Sequence, residues 1–464
     1  MPDELTLKKI YEKENQRRRL HSTLFMLLNF ACQKETQLPK LQDELASASG
    51  RRDLNGHLKQ TKTFPSEVVT SWLSMQMTML KRPFPPGTGS QPSDRCLAYC
   101  GIALYESVVP GMPAYKSLSG QLTDFPQMPT TQPGKAYHWA ASANAALAEM
   151  NRNLFPTTAP INITNLNNLE DSLQEIYATE VDHSVLQRSI AFGKEVAKRV
   201  SAWAAADGFA NVNPPYVAPV GPGLWVPTAT TPPVNAYAYQ RRLMVPGVRT
   251  GTTLEPLPPF STSTASPFYA MVKDLYDVSL IITPDQKAMA DYFKDNPGYG
   301  PGGGIVSLFT HVLNIADPML DSAALAYVKA GLALHDANVI LNTDKYLFNT
   351  IRPVTYIRAY IDPIWNSYTN TPNHPEFPSG NSATNGAVLT MLSHMFGENF
   401  PITLHTYDYL GYTPRSYTTF TAIGADMSNS RFYGGLHYKE TLEKSHVQGK
   451  RVAQNILNTI QFLK

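Results

Sequence analysis

The sequence predicts an all-α fold, a large helical-bundle domain or set of packed bundles. Three observations carry that expectation. Apolar residues recur at helical spacing through most of the chain, cap and stop residues bracket those runs, and strand signals are scarce with no repeat period. The 464 residues are 43% hydrophobic and 16% charged, enough for a large buried core. A net charge of +2 provides no basic face of the kind a nucleic-acid binder needs.

At the start of the chain, Arg17, Arg18 and Arg19 precede a short apolar run from Leu20 to Ala31, then Cys32. This pattern reads either as a bacterial lipoprotein signal, although Asn29 stands where such signals usually carry Leu, or as an amphipathic helix. The first reading makes the protein exported, periplasmic or outer-membrane-anchored, with a lipid anchor at Cys32. No apolar run reaches the roughly 18 to 20 residues of a membrane-spanning helix. Residues 1–62 are therefore a leader and tether. An N-terminal helical half follows at 63–234 and a C-terminal helical half, with the anion-site residues, at 235–464. Three cysteines make no disulfide framework, and Cys96 and Cys100, one turn apart, read as core packing.

Ser66 caps a helix running to about Lys81, with Val69, Trp72, Leu73, Met77 and Leu80 on one stripe. A second helix runs from Arg95 to Val109 and stops at Pro110 and Gly111. Ala136 to Phe155 is Ala-rich and ends at Pro156. His183 to Ala206 places Val185, Ser189, Phe192, Val196, Val200 and Trp203 at helical spacing. From Val212 to Val234, proline, glycine and threonine take over, and Gly221 to Pro227 excludes a helix or central strand. We read this stretch as an ordered wrap anchored by Trp225. Helices resume after Pro267, and Thr283 to Gln286 spells a capping box with proline at the first helical position. Gly298 to Gly304 lacks the Gly-Lys-Ser/Thr of a phosphate loop and receives no nucleotide role. Ala323 to Leu341 is helical, with Asp336 on its apolar face either supporting a site or paired with Arg or backbone. The last helices are Thr418 to Tyr433 and Tyr438 to Leu463, broken apart at Gly434 and Gly435.

Three segments carry chemistry. In the first, Lys345 and Arg352 stand seven residues apart, nearly two helical turns, and are expected on one face about 10 Å apart. Pro353 ends that helix. A solvated basic face or a shared anion would each explain the pair. In the second, His374-Pro375-Glu376-Phe377-Pro378-Ser379-Gly380-Asn381 leads into the helical run Ala383 to Phe396. A helix starting there aims free N–H groups and its positive dipole end at whatever lies over Ser379 and Gly380. In the third, Arg431 precedes the double glycine and His437 opens the next helix.

Lys-x6-Arg-Pro, Pro-Ser-Gly and Ser-Arg-x3-Gly-x-His, in this order, resemble the shared signature of the vanadium-dependent haloperoxidases and type 2 phosphatidic acid phosphatases. The similarity, to the soluble bacterial haloperoxidase-like branch, runs from about Val68 to the end. It includes Ala103 to Pro113, Gly221 to Thr228 and Ile351 to Ile357. The resemblance implies that Lys345, Arg352 and Arg431 neutralise the oxygens of vanadate, or of phosphate in the same site. Ser379 and the Gly380 N–H would add hydrogen bonds, and His437 would bond vanadium or attack phosphorus. Halide, hydrogen peroxide and a small organic acceptor are the implied partners, and a homo-oligomer is compatible.

Two positions depart from the family. Asn381 replaces the His that serves as acid–base group, a loss worth about 10² to 10⁴-fold. Thr441 replaces an Asp that would hold the tautomer of His437, and Glu440 should point elsewhere on the helix. His374, where algal bromoperoxidases also carry His and chloroperoxidases Phe, is expected to supply the remaining proton transfer and to favour bromide or iodide over chloride. The expected function is a vanadate-dependent haloperoxidase-like enzyme. A soluble phosphoric monoester hydrolase with His437 as nucleophile, and a catalytically weakened oxyanion-binding relative, are the alternatives.

Overall fold

The computed structural model describes residues 59–84, 92–300 and 302–464. The lipoprotein-like stretch at Arg17 to Cys32, and all but the last residues of the tether, lie outside them. Thirteen helices and one two-stranded sheet make up the regular structure of the described residues, apart from short 3-10 turns. The first five are α1 (Glu67–Leu80), α2 (Ser93–Val108), α3 (Trp139–Leu154), α4 (Pro160–Ala178) and α5 (His183–Ala205). After the Pro/Gly-rich segment come α6 (Pro267–Leu280), α7 (Pro284–Tyr292), α8 (Gly303–Ala316), α9 (Leu320–Phe348) and α10 (Pro353–Tyr360). The chain ends with α11 (Gly380–Phe396), α12 (Phe420–Tyr433) and α13 (Lys439–Thr459). The all-α expectation holds. Among the described residues, no helix is long and apolar enough to cross a membrane.

Helix α9 is buried along nearly its whole length, with apolar residues on every side and Lys329, His335, Asp336, Asp344 and Lys345 buried among them. It packs along α2 and α11, so both halves of the chain contribute to one core. The α2–α9 crossing is backbone against backbone. A Cβ on Gly331 would lie 2.7 Å from the Leu97 carbonyl oxygen. The α11–α13 pair is equally tight, since a Cβ on Gly449 would fall 1.9 Å from the carbonyl oxygen of Ala383. Any side chain at either glycine forces these helices apart, and with them the residues they carry.

Trp225 is 1% exposed, and the segment around it is ordered. Its backbone N–H donates to the Asn349 carbonyl, Leu224 bridges Thr350, and the Ile351 N–H donates to the Gly223 carbonyl. Further along, Asn373 Oδ1 accepts from the Thr228 and Ala229 N–H groups. The wrap thus clamps two loops that carry candidate site residues. The capping box at Thr283 and Gln286 is also present.

Three helices and the sheet were not legible from periodicity. Helix α4 is polar and buries only Leu166, Glu170, Leu173 and Tyr177, helix α8 starts directly in the glycine-rich loop, and α10 has eight residues. The strands β1 (Asn399–Leu404) and β2 (Arg415–Thr419) pair antiparallel, with Ile402 opposite Tyr417, and are too short for a clear alternation.

A more consequential correction concerns Lys345 and Arg352, which do not share a helical face. Helix α9 stops at Phe348 because Asn349 turns left-handed at φ 49°, and Arg352 is extended ahead of Pro353, the first residue of α10. Their relation is set by the break, not by helical pitch.

Asp336 is a structural carboxylate. It accepts from the N–H groups of Met244 at 2.7 Å and Val245 at 3.0 Å. Burial pushes its carboxyl up to about 6, against the pull of His335 and the two N–H donors. An amide would turn one N–H donor toward another. Asp336→Asn is therefore expected to destabilise the protein by about 1–3 kcal/mol, read as a lowered Tm.

Candidate functional site

The last turn of α9 places Lys345 in the interior beneath the loop of residues 374–379. Its Nζ donates to the carbonyls of Pro375 at 3.0 Å and Glu376 at 3.1 Å, and also to that of Pro378. All three N–H bonds of the ammonium are thereby engaged, so Lys345 braces the loop and supplies charge. Burial and the neighbouring Arg352 charge hold its pKa well below the usual lysine value.

Arg352 is fully buried. Its Nε donates to the His374 carbonyl at 2.8 Å, Nη1 to the Leu436 carbonyl at 3.0 Å and Nη2 to His374 Nδ1 at 2.9 Å. The Pro375 carbonyl also lies 3.2 Å from His374 Nδ1, but the guanidinium is closer and cannot accept, so Nδ1 carries the lone pair and Nε2 the proton. Burial, reinforced by the charges of Lys345 and Arg352, drives the His374 pKa well below 6.5 and keeps the ring neutral. His374 is a fixed Nε2–H donor.

Ser379 caps α11 by accepting from the Ser382 N–H at 3.4 Å, and its own N–H donates to Ser445 Oγ at 2.8 Å. Among the described residues, the N–H groups of Gly380 and Asn381 find no protein acceptor, as expected of a first helical turn. Asn381 Oδ1 accepts from Asn385 Nδ2 at 3.2 Å, which leaves its own amide hydrogens as donors.

Arg431 ends α12 and donates from Nη2 to Asp295 Oδ2 at 2.8 Å. The chain then turns at Gly435, whose φ of +76° suits glycine, and delivers His437 just before α13.

His437 Nδ1 lies 2.9 Å from Glu376 Oε1. That same oxygen accepts the Tyr438 N–H at 3.2 Å, while Oε2 accepts the Thr441 hydroxyl at 3.0 Å. An oxygen already accepting a backbone N–H is an acceptor for the imidazole as well. Nδ1 therefore carries the proton and Nε2 presents its lone pair. Burial, then the charges of Arg352 and Lys345, hold the His437 pKa well below 6.5. Burial likewise raises the Glu376 carboxyl, with Arg352 and Lys345 pulling it back down.

Glu376 is the candidate site residue that sequence reading missed. The lost Asp at Thr441 pointed to a weakly held His437, yet the carboxylate is supplied from another element, and the Thr441 hydroxyl orients it. The only signal was an acidic residue inside an apolar, proline-flanked loop. Glu440 faces away, as expected, and pairs with Lys444.

Lys345, His374, Gly380, Asn381, Arg431 and His437 line one cavity of about 490 Å³. Arg352 and Ser379 lie immediately behind its wall, Arg352 acting on the cavity through His374 and through its charge. Three buried cations face two carboxylates, Glu376 and Asp295, leaving an excess positive charge that a small anion would balance. Free helix N–H groups, a guanidinium and an unprotonated imidazole nitrogen are a donor set that fits a tetrahedral oxyanion with one nitrogen ligand. Vanadate and phosphate both meet that description.

A family profile described as the VCPO second helical-bundle domain matches residues 326–463, which span every residue of this site except Asp295. A bacterial vanadium-dependent iodoperoxidase superposes with a TM-score of 0.76 at 26% identity, over 86% of this chain and 98% of that one. The apo form of a bacterial vanadium-dependent chloroperoxidase shares the fold with a TM-score of 0.59 at 15% identity, over 82% of this chain and 96% of that one. A holo form gives 0.54 at 17% identity, over 85% and 92%. Curated proteins yield no match by sequence.

Proposed function

Because the chain belongs to the vanadium haloperoxidase superfamily, we propose that it binds vanadate and oxidises iodide or bromide with hydrogen peroxide, passing the oxidised halogen to a small organic acceptor. The observation that carries this reading is the Glu376–His437 pair, which holds a lone-pair nitrogen over a cationic cradle. Bound vanadate supplies an electrophilic centre that activates hydrogen peroxide for oxygen transfer to halide. His437 Nε2 would be its nitrogen ligand. Arg431 and the Gly380 and Asn381 N–H groups would bind its oxygens, with Lys345 and Arg352 supplying charge. His374, its ring held neutral and its Nδ1 occupied by Arg352, would present its Nε2–H to the anion as a hydrogen-bond donor rather than exchange a proton with it. Preference for the more easily oxidised halides rests on Asn381, which has no proton to exchange near neutral pH, and on the likeness to an iodoperoxidase.

Asn381 also favours a second reading, an oxyanion-binding relative with little turnover. Halide oxidation with peroxide, measured with and without vanadate and beside p-nitrophenyl phosphate hydrolysis, separates the cases. Vanadate-dependent iodide oxidation is expected. Hydrolysis alone would make the protein a phosphatase. Silence in both assays, with a vanadate-induced rise in Tm, would leave only binding.

A further inference from the structure

Away from the cavity, one buried lysine among the described residues has no acid partner. Lys329 lies on α9 and is 6% exposed. Its Nζ makes a single hydrogen bond among the described residues, 3.5 Å to the sulfur of Met395 in the last turn of α11, and rests 5.2 Å from the centroid of the Phe462 ring. Burial without a compensating carboxylate lowers its pKa to about 8, so near neutral pH part of the amine population carries a free lone pair. Met395 is only partly buried, at the edge of the core. A nucleophilic amine thus lies against a thioether that small oxidants can reach.

We propose that hypohalous acid converts this contact into a covalent Lys329–Met395 sulfilimine cross-link. The thioether sulfur attacks the halogen, the halogen–oxygen bond breaks, and hydroxide leaves as water after taking a proton. The Lys329 nitrogen then attacks the halosulfonium sulfur, expelling halide as the nitrogen–sulfur bond forms. Loss of both amine protons gives S=N. Sulfur is oxidised by two electrons, the halogen is reduced to halide, and the protein loses two hydrogen atoms. Without a neighbouring amine, water takes the same intermediate to the sulfoxide, the ordinary fate of oxidised methionine. The oxidant in the cell rests on the proposed halide oxidation; the geometry of the contact does not. The product would join α9, which carries Lys345 in its last turn, to α11, which Ser379 caps, and protect both from the enzyme's own product.

The test treats the full chain with one equivalent of reagent hypobromous acid and maps its peptides by mass. The expected product is a joined pair of peptides containing residues 329 and 395, lighter by two hydrogens than their sum. It should be absent in Lys329→Arg and in Met395→Leu, and treated wild type should melt several degrees above treated Lys329→Arg. Recovery of Met395 as sulfoxide beside unmodified Lys329 would overturn the proposal. A parallel sample turning over bromide, peroxide and vanadate separates the two ideas. A cross-link formed by the reagent but absent after turnover supports the cross-link chemistry and counts against halide oxidation alone.

Discussion

On the proposed halide oxidation, replacing Asn381 with His is expected to raise turnover of the vanadate-loaded protein by about 10² to 10⁴-fold, the range associated with a general acid or base. Asn381 lines the cavity beside His437, Gly380 and Arg431. It is half-buried, and the adjoining cavity of about 490 Å³ leaves room for an imidazole. A ring nitrogen can also take over the hydrogen bond that Asn385 now donates to Asn381. Steady-state kcat in iodide and bromide, with vanadate affinity measured in parallel, checks the prediction. A variant that binds vanadate as tightly as wild type yet gains no turnover would show that more than the acid–base group has diverged.

Glu376→Gln separates two roles of one carboxylate. Glutamine keeps an oxygen for His437 Nδ1–H and for the Tyr438 N–H, so the geometry survives while the negative charge is lost. Lys345 and Arg352 then lack their nearest buried counter-charge, and breaking such a pairing costs about 3–5 kcal/mol. The Tm of the vanadate-free variant is expected to fall accordingly. Phosphate or vanadate, then the anion nearest Lys345 and Arg352, should raise Tm by more than it does in wild type. Turnover should drop by about 10 to 100-fold, as when the partner of a metal-binding His is removed. Thr441→Val removes only the hydroxyl on Oε2 and should move both quantities in the same direction by less. Unchanged Tm and unchanged turnover in Glu376→Gln would remove Glu376 from the site.

The fold and most of the site were legible because they depend on local signals. Helical periodicity, cap residues and proline boundaries located the long helices, and the three motifs singled out Lys345, Arg352, Ser379, Gly380, Arg431, His437 and His374. Periodicity failed where burial was partial, as in polar α4, or where the element was short, as in α10 and the hairpin. It also misled at Lys345 and Arg352. Seven-residue spacing implies a shared face only if the helix is continuous, and the one local signal of the left-handed turn is Asn349 itself, a residue type that also occurs freely inside helices and loops. That turn is secured by Gly223 and Trp225, more than 120 positions earlier in the chain.

What the sequence determined by itself is the inventory: an all-α chain, three cations, a helix start and a histidine, with asparagine at the position where the superfamily places its acid–base group. The arrangement belongs to the tertiary structure. Lys345 spends its donors on loop carbonyls, Arg352 acts from behind His374, and Glu376 replaces a carboxylate that position 441 no longer supplies. These pairings join residues 22 to 65 positions apart. The buried charges of this site pair with whatever the packing of α9, α11 and α13 brings near, because leaving a buried charge unpaired is costly.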